Sequence, residues 1–107
     1  LSFAQARSLE KISGLDACMK LAEKSATALY LVDTYGGGLA GMEISSTLSS
    51  ANDEAIAGPV SVRVMLKDTE TLPEGVTLES ATIYDVGMDR NDAGVCHLSA
   101  VSVSRAG

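Results

Sequence analysis

LSFAQARSLEKISGLDACMKLAEKSATALYLVDTY, residues 1–35, is the stretch whose reading decides the fold, and Gly36-Gly37-Gly38 stops it. Apolar residues at Leu9, Ile12, Leu15, Met19, Ala22, Ala26 and Leu29 follow the three-and-four spacing of one helix face. Cys18 lies at the edge of that stripe, and Arg7, Glu10, Lys11, Lys20, Glu23 and Lys24 fall mostly outside it. Asp16 and Lys20 form an i,i+4 pair in the favourable order. Ser13-Gly14-Leu15-Asp16 has the outline of a capping box, with Asp in place of Glu. The reading is one helix over residues 2–33 with a weak point at Ser13-Gly14. Periodicity alone leaves Ala28–Val32 open, because a short apolar run suits a last helical turn or a first strand. A helix over residues 2–33 would be roughly 48 Å long. A compact domain of this size has a radius of gyration of about 13 Å, so such a helix would project from the body.

Outward from the helix the pattern changes. Residues 34–58 read as a loop region: four glycines between Gly36 and Gly41, then a polar tract from Ser45 to Glu54. A short helix could begin at Ser50 or Asn52 and end at Gly58-Pro59. From 60 to 104 the chain reads as β structure. Val60, Val62, Val64 and Leu66 alternate with Ser61, Arg63 and Met65, as in a half-buried strand. Thr71-Leu72-Pro73-Glu74-Gly75 is a turn. Val76–Leu78 and Ala81–Val86 are two further strand candidates, and Asp89–Gly94 is a turn cluster. Val95–Val103 is the final strand, and its change of phase near Leu98 predicts a bulge. The expected fold is α+β in a single domain: a long N-terminal helix packed on an antiparallel sheet of about four strands.

Composition narrows the function classes. The chain has 107 residues, no Trp, one Phe and three Tyr, so its core is aliphatic. The net charge of −6, with Lys and Arg spread singly, argues against nucleic acid and anionic membrane surfaces as partners. Cys18 and Cys96 allow one disulfide, worth about 4 kcal/mol in the loop-entropy model. Two buried free thiols are the other reading of the same pair.

Three constellations of residues have the types that chemistry requires. Gly36-Gly37-Gly38-Leu39-Ala40-Gly41 matches G-x-G-x-x-G, which in a strand–turn–helix unit cradles a pyrophosphate. Residues 42–57 are poor in helix formers, which opposes that context. Asp85, Asp89, Asn91 and Asp92 suggest calcium, but an EF-hand frame started at Asp89 places Ala93 and Ala100 at ligand positions. Cys96 and His97 are neighbours, and adjacent strand residues point to opposite faces, so they cannot act as nucleophile and base. No catalytic residue, metal or cofactor is expected.

The opening stretch resembles the soluble domains of type IV pilins and secretion-system pseudopilins. In those an Ala-rich amphipathic helix passes into an apolar-Tyr segment and then a Gly-containing loop. Here the match is Ala17–Ala28, followed by Leu29-Tyr30-Leu31-Val32-Asp33-Thr34-Tyr35-Gly36. Tyr35–Leu39 is similar to a Tyr-Gly-Leu-like loop of the type IVb pilins, and Cys96 to their late cysteine; Cys18, inside the helix, departs from the family's pair near the C-terminus. The resemblance implies a non-enzymatic filament subunit, extracellular, at the cell surface or periplasmic. Its partners would be further copies of itself or other filament subunits. Leu9, Ile12, Leu15, Met19 and Ala22 would be interaction residues of the helix. Any membrane contact would come through a hydrophobic segment ahead of Leu1. A small α+β binding module is the alternative, and a nucleotide-binding domain using Gly36–Gly41 a third.

Overall fold

In the computed structural model the described residues are 3–33, 42–51 and 55–106, with the side chains of 3–14 and 106 outside the description. The chain folds as α+β, with more strand than helix. Helix α1 spans Phe3–Asp33, and strands β1 (Glu43–Ala51), β2 (Gly58–Thr71), β3 (Thr77–Arg90) and β4 (Cys96–Ala106) follow. The four strands form one antiparallel sheet in sequence order, β1-β2-β3-β4. Short connections suffice for such a meander, because antiparallel neighbours need no crossover.

The helix runs unbroken through Ser13-Gly14 and on to Asp33. Ala28–Val32 is therefore helical. What packs α1 is a row at every fourth residue. Cys18, Ala22 and Ala26 are fully buried, and Tyr30 continues the row half-buried, with Leu15, Met19 and Leu21 beside it. This shifts the stripe expected from the sequence. Cys18 sits at its centre, and Leu29 is 38% exposed. The physical reason is size: two alanines and a cysteine let the helix backbone come close to the sheet, whereas a leucine row would hold it away. Helix α1 touches all four strands.

The sheet supplies the other half of the core. Val60, Val62, Val64 and Leu66 of β2 are buried, as are Tyr84, Val86 and Met88 of β3. Six of these seven pair across the two strands, Val60 with Met88, Val62 with Val86 and Val64 with Tyr84, and Leu66 pairs with the buried Thr82. Directly opposed residues share a face, so one side of the β2–β3 ribbon is a wall of aliphatic side chains under α1. On the opposite face the Arg63 Nε–H donates to Asp85 Oδ1 at 2.9 Å. That bond and the adjacent carboxylate raise the Arg63 pKa.

Three sequence expectations need correction. The stretch 34–58 contains strand β1, and its polar tract Ser45–Ala51 is strand and not loop. A helix starting at Ser50 is excluded because Ser50 pairs with Ser61 in the sheet; a start at Asn52 lies outside the described residues, and Ile56–Ala57 is a bend. Val76–Leu78 and Ala81–Val86 are not two strands. Apart from Val76, which belongs to the turn, they form one strand of 14 residues, which also absorbs Asp89 and Arg90 from the expected turn cluster.

Both tight turns use the same device. The Gly75 N–H donates to the Leu72 carbonyl at 2.9 Å, and the Leu72 N–H to the Val76 carbonyl at 2.8 Å. Residues 91–95 repeat it: Gly94 N–H to Asn91 carbonyl at 2.8 Å, Asn91 N–H to Val95 carbonyl at 3.0 Å. Gly75 at φ 87° and Gly94 at φ 79° occupy the left-handed position that such three-residue hairpins require. The bulge expected in β4 is present. Gly87 faces Ala100 while Met88 faces Leu98, which leaves Ser99 as the extra residue.

Candidate interaction surface

The disulfide joins Cys18 of α1 to Cys96 at the start of β4, with Cα atoms 5.4 Å apart. It staples the helix to an edge strand of its own sheet. Such a bond fits an oxidising compartment, extracellular or periplasmic. His97 follows Cys96 and is exposed.

Of the interaction residues expected on the helix, Ala22 is fully buried against the sheet, and Leu15 and Met19 are half-buried beside the core. Leu9 and Ile12 belong to α1, but their side chains lie outside the described residues, as does the whole Gly36–Gly41 motif. The acidic cluster near the second turn does not converge. Asp85 engages Arg63, and Asn91 Oδ1 accepts the backbone N–H groups of Ala93 at 2.9 Å and Val95 at 3.0 Å. That is an Asx turn, which holds the hairpin in shape. Among the described residues no group of three His, Cys, Asp or Glu side chains is placed to hold a metal ion. Among them, too, no helix is long and apolar enough to cross a membrane.

What the fold exposes is surface for contact, in three places. The first is a groove of about 540 Å³ between α1 and the edge strand β1, lined by Lys20, Glu23, Lys24, Ala28, Leu31 and Ile44. Its apolar floor is Ala28, Leu31 and Ile44; its rim carries the charges. Ser46 closes one side by donating its hydroxyl to the Glu23 carboxylate. Lys20 is held by Asp16 at 3.1 Å, although both side chains are well exposed and such a pair contributes little.

The second place is β4. Val101 faces Val86, and Val103 faces Tyr84, so both lie on the helix side of the sheet. Yet Val101 is 36% and Val103 48% exposed. The helix does not cover them. Near this margin Tyr84 is buried, and its phenol pKa is raised, first by that burial and then by the Asp33 carboxylate; Arg105 opposes the shift.

The third place is an arm. β1 pairs with β2 only as far as Lys67, and β4 pairs with β3 only as far as Ala81. Residues 68–80 continue beyond both as a two-stranded ribbon, Asp68 opposite Ser80 and Glu70 opposite Leu78. Asp68, Glu70, Glu74 and Glu79 are its only charged residues, so it carries −4 of the chain's net −6. Val76 and Leu78 are about half exposed on it, at 53% and 49%. Sequence reading missed this arm. Its signal was there, in thirteen residues with four carboxylates and no basic residue. No family model, curated protein or solved structure matches the chain.

Proposed function

We propose that the protein is a non-enzymatic structural subunit of an exported pilus- or pseudopilus-like filament. The observation that carries this reading is the helix. It continues through Ala28–Val32 to Asp33 as one helix of 31 residues, roughly 46 Å long. The molecule is correspondingly long. Its dimensions are 60 × 26 × 20 Å and its radius of gyration is 16.7 Å, against about 13 Å for a compact chain of this size. A stem joined to a sheet body is the form a filament subunit needs, with stems packed inside and bodies outside. The disulfide supports an exported protein, and the uncovered rows on β4 and beside β1 supply surface for neighbouring subunits.

The test is the segment encoded ahead of Leu1, together with electron microscopy of the natural protein. A hydrophobic helix behind a short basic leader, and fibres seen at the cell surface, are the expected results. A cytosolic start at or near Leu1 contradicts the reading. In that case the exposed groove and arm favour the alternative, a small α+β interaction module.

A further inference from the structure

Two surfaces on this chain are complementary to each other and lie on different parts of it. One is the arm, residues 68–80. On its helix-side face Leu78 stands across from Glu70, and Asp68 lies two residues along. The face is one half-exposed leucine flanked by two carboxylates. The other is the groove between α1 and β1. There Ala28, Leu31 and Ile44 are flanked by Lys20 and Lys24, and the Glu23 carboxylate of the same lining is taken up by the Ser46 hydroxyl. Apolar meets apolar, and carboxylate meets ammonium.

The backbones are complementary as well. Strand β1 is an edge strand, and Ile44–Ala51 carries no Lys, Arg or Pro, the residues that usually blunt an exposed edge. Among the described residues no strand pairs with the outer edges of the arm, and a two-stranded ribbon by itself is only marginally stable in water. Each has a row of backbone N–H and C=O groups that a strand can complete.

We propose that the acidic arm of one copy docks in the groove of a second copy, along the free edge of β1, with Leu78 on the apolar floor and Asp68 and Glu70 beside Lys20 and Lys24. The contact is heterologous, arm to groove. Contacts of that kind generate rings or open fibres. The inference rests on the filament-subunit reading in that it needs copies of the chain to meet. It names which surfaces meet, and opposite charge both selects this pairing and opposes arm-to-arm contact.

The experiment is zero-length carbodiimide crosslinking of the 107-residue chain, using an equal mixture of ¹⁴N- and ¹⁵N-labelled protein at low salt and high concentration. The expected result is a mixed-isotope crosslink joining Lys20 or Lys24 to Asp68 or Glu70. Sedimentation supplies the second arm. Lys20→Glu with Lys24→Glu, and separately Asp68→Lys with Glu70→Lys, should each weaken self-association at least tenfold, and the four changes together should restore it. The four exchanged side chains, Lys20, Lys24, Asp68 and Glu70, are exposed or half-buried, so the variants should keep the wild-type circular dichroism. Crosslinks elsewhere, or charge reversals without effect or without rescue, overturn the proposal. If fibres of the natural protein form while the reversals change nothing, this inference alone falls. If the natural protein forms no assembly, the filament reading falls with it.

Discussion

Strands β2 and β3 run side by side for their whole length, but the two halves of that ribbon are built differently. From Val60 to Leu66, and from Thr82 to Met88, every second side chain is buried under α1. From Asp68 to Ser80 the same two strands carry carboxylates, threonines and two half-exposed apolar residues, and no side chain in this stretch is fully buried. Hydrogen bonding is continuous from one half to the other. The difference lies wholly in the side chains. A sheet need not stop where its core stops, and a ribbon that outruns its core is free to meet another molecule.

The largest expected effect comes from the bond that makes the packed half possible. A Cys18→Ala, Cys96→Ala variant should lose about 4 kcal/mol in chemical denaturation, because the bond closes a loop of 78 residues. A loss under about 1 kcal/mol would mean that the packed row holds α1 without its staple.

Next is a direct contrast along the ribbon. Leu66→Ala removes a buried side chain and should cost about 3 kcal/mol. Leu78→Ala, on the arm, should cost less than about 0.5 kcal/mol in the dilute protein. Equal costs would erase the distinction between the halves.

The two matching turns sharpen it further. Alanine at Gly75 or Gly94 must adopt a positive φ, at a cost of about 1 kcal/mol each. Gly94→Ala should be the worse, because its Cβ would meet Ile56 Cγ2 at 3.2 Å, whereas nothing lies within 4 Å at Gly75. Urea midpoints of the two variants check the order.

The smallest effect at neutral pH concerns Tyr84. Its pKa is raised in the folded state by burial and by Asp33, so folding favours the neutral phenol. The stability this contributes is fully present below the unfolded value of about 10, and it is lost as pH rises through the higher folded value. Denaturation midpoints measured from pH 8 to 11 should fall at the alkaline end, and Tyr84→Phe should flatten that fall.

Much of the packed half is legible in the residues. Val60, Val62, Val64 and Leu66 alternate cleanly, and the phase change at Leu98 marks the bulge at Ser99. The helix is legible too, and so are Ala22 and Ala26 of its buried row, while Cys18 reads as the edge of the stripe and not its centre. Alanine and cysteine weigh little in a hydrophobic pattern, yet at Cys18, Ala22 and Ala26 smallness is what permits close packing. Strand β1 escapes because only Ile44 and Leu48 are apolar in a Ser/Thr tract; it is an edge strand, held by backbone pairing to β2. β3 reads as two pieces because Glu79-Ser80 interrupts its alternation where the ribbon leaves the core. The groove between α1 and β1 could not be read at all, since it joins residues some twenty positions apart through a strand that the pattern hides.

Hydrogen exchange of the backbone amides, followed in dilute and in concentrated protein, tests the contrast between the two halves most directly. Residues 60–66 and 82–88 should exchange slowly at both concentrations. Residues 68–71 and 77–80 should exchange quickly when dilute and slow down when concentrated, as arms find grooves. An arm as protected as the core in dilute solution, or one indifferent to concentration, would contradict the account.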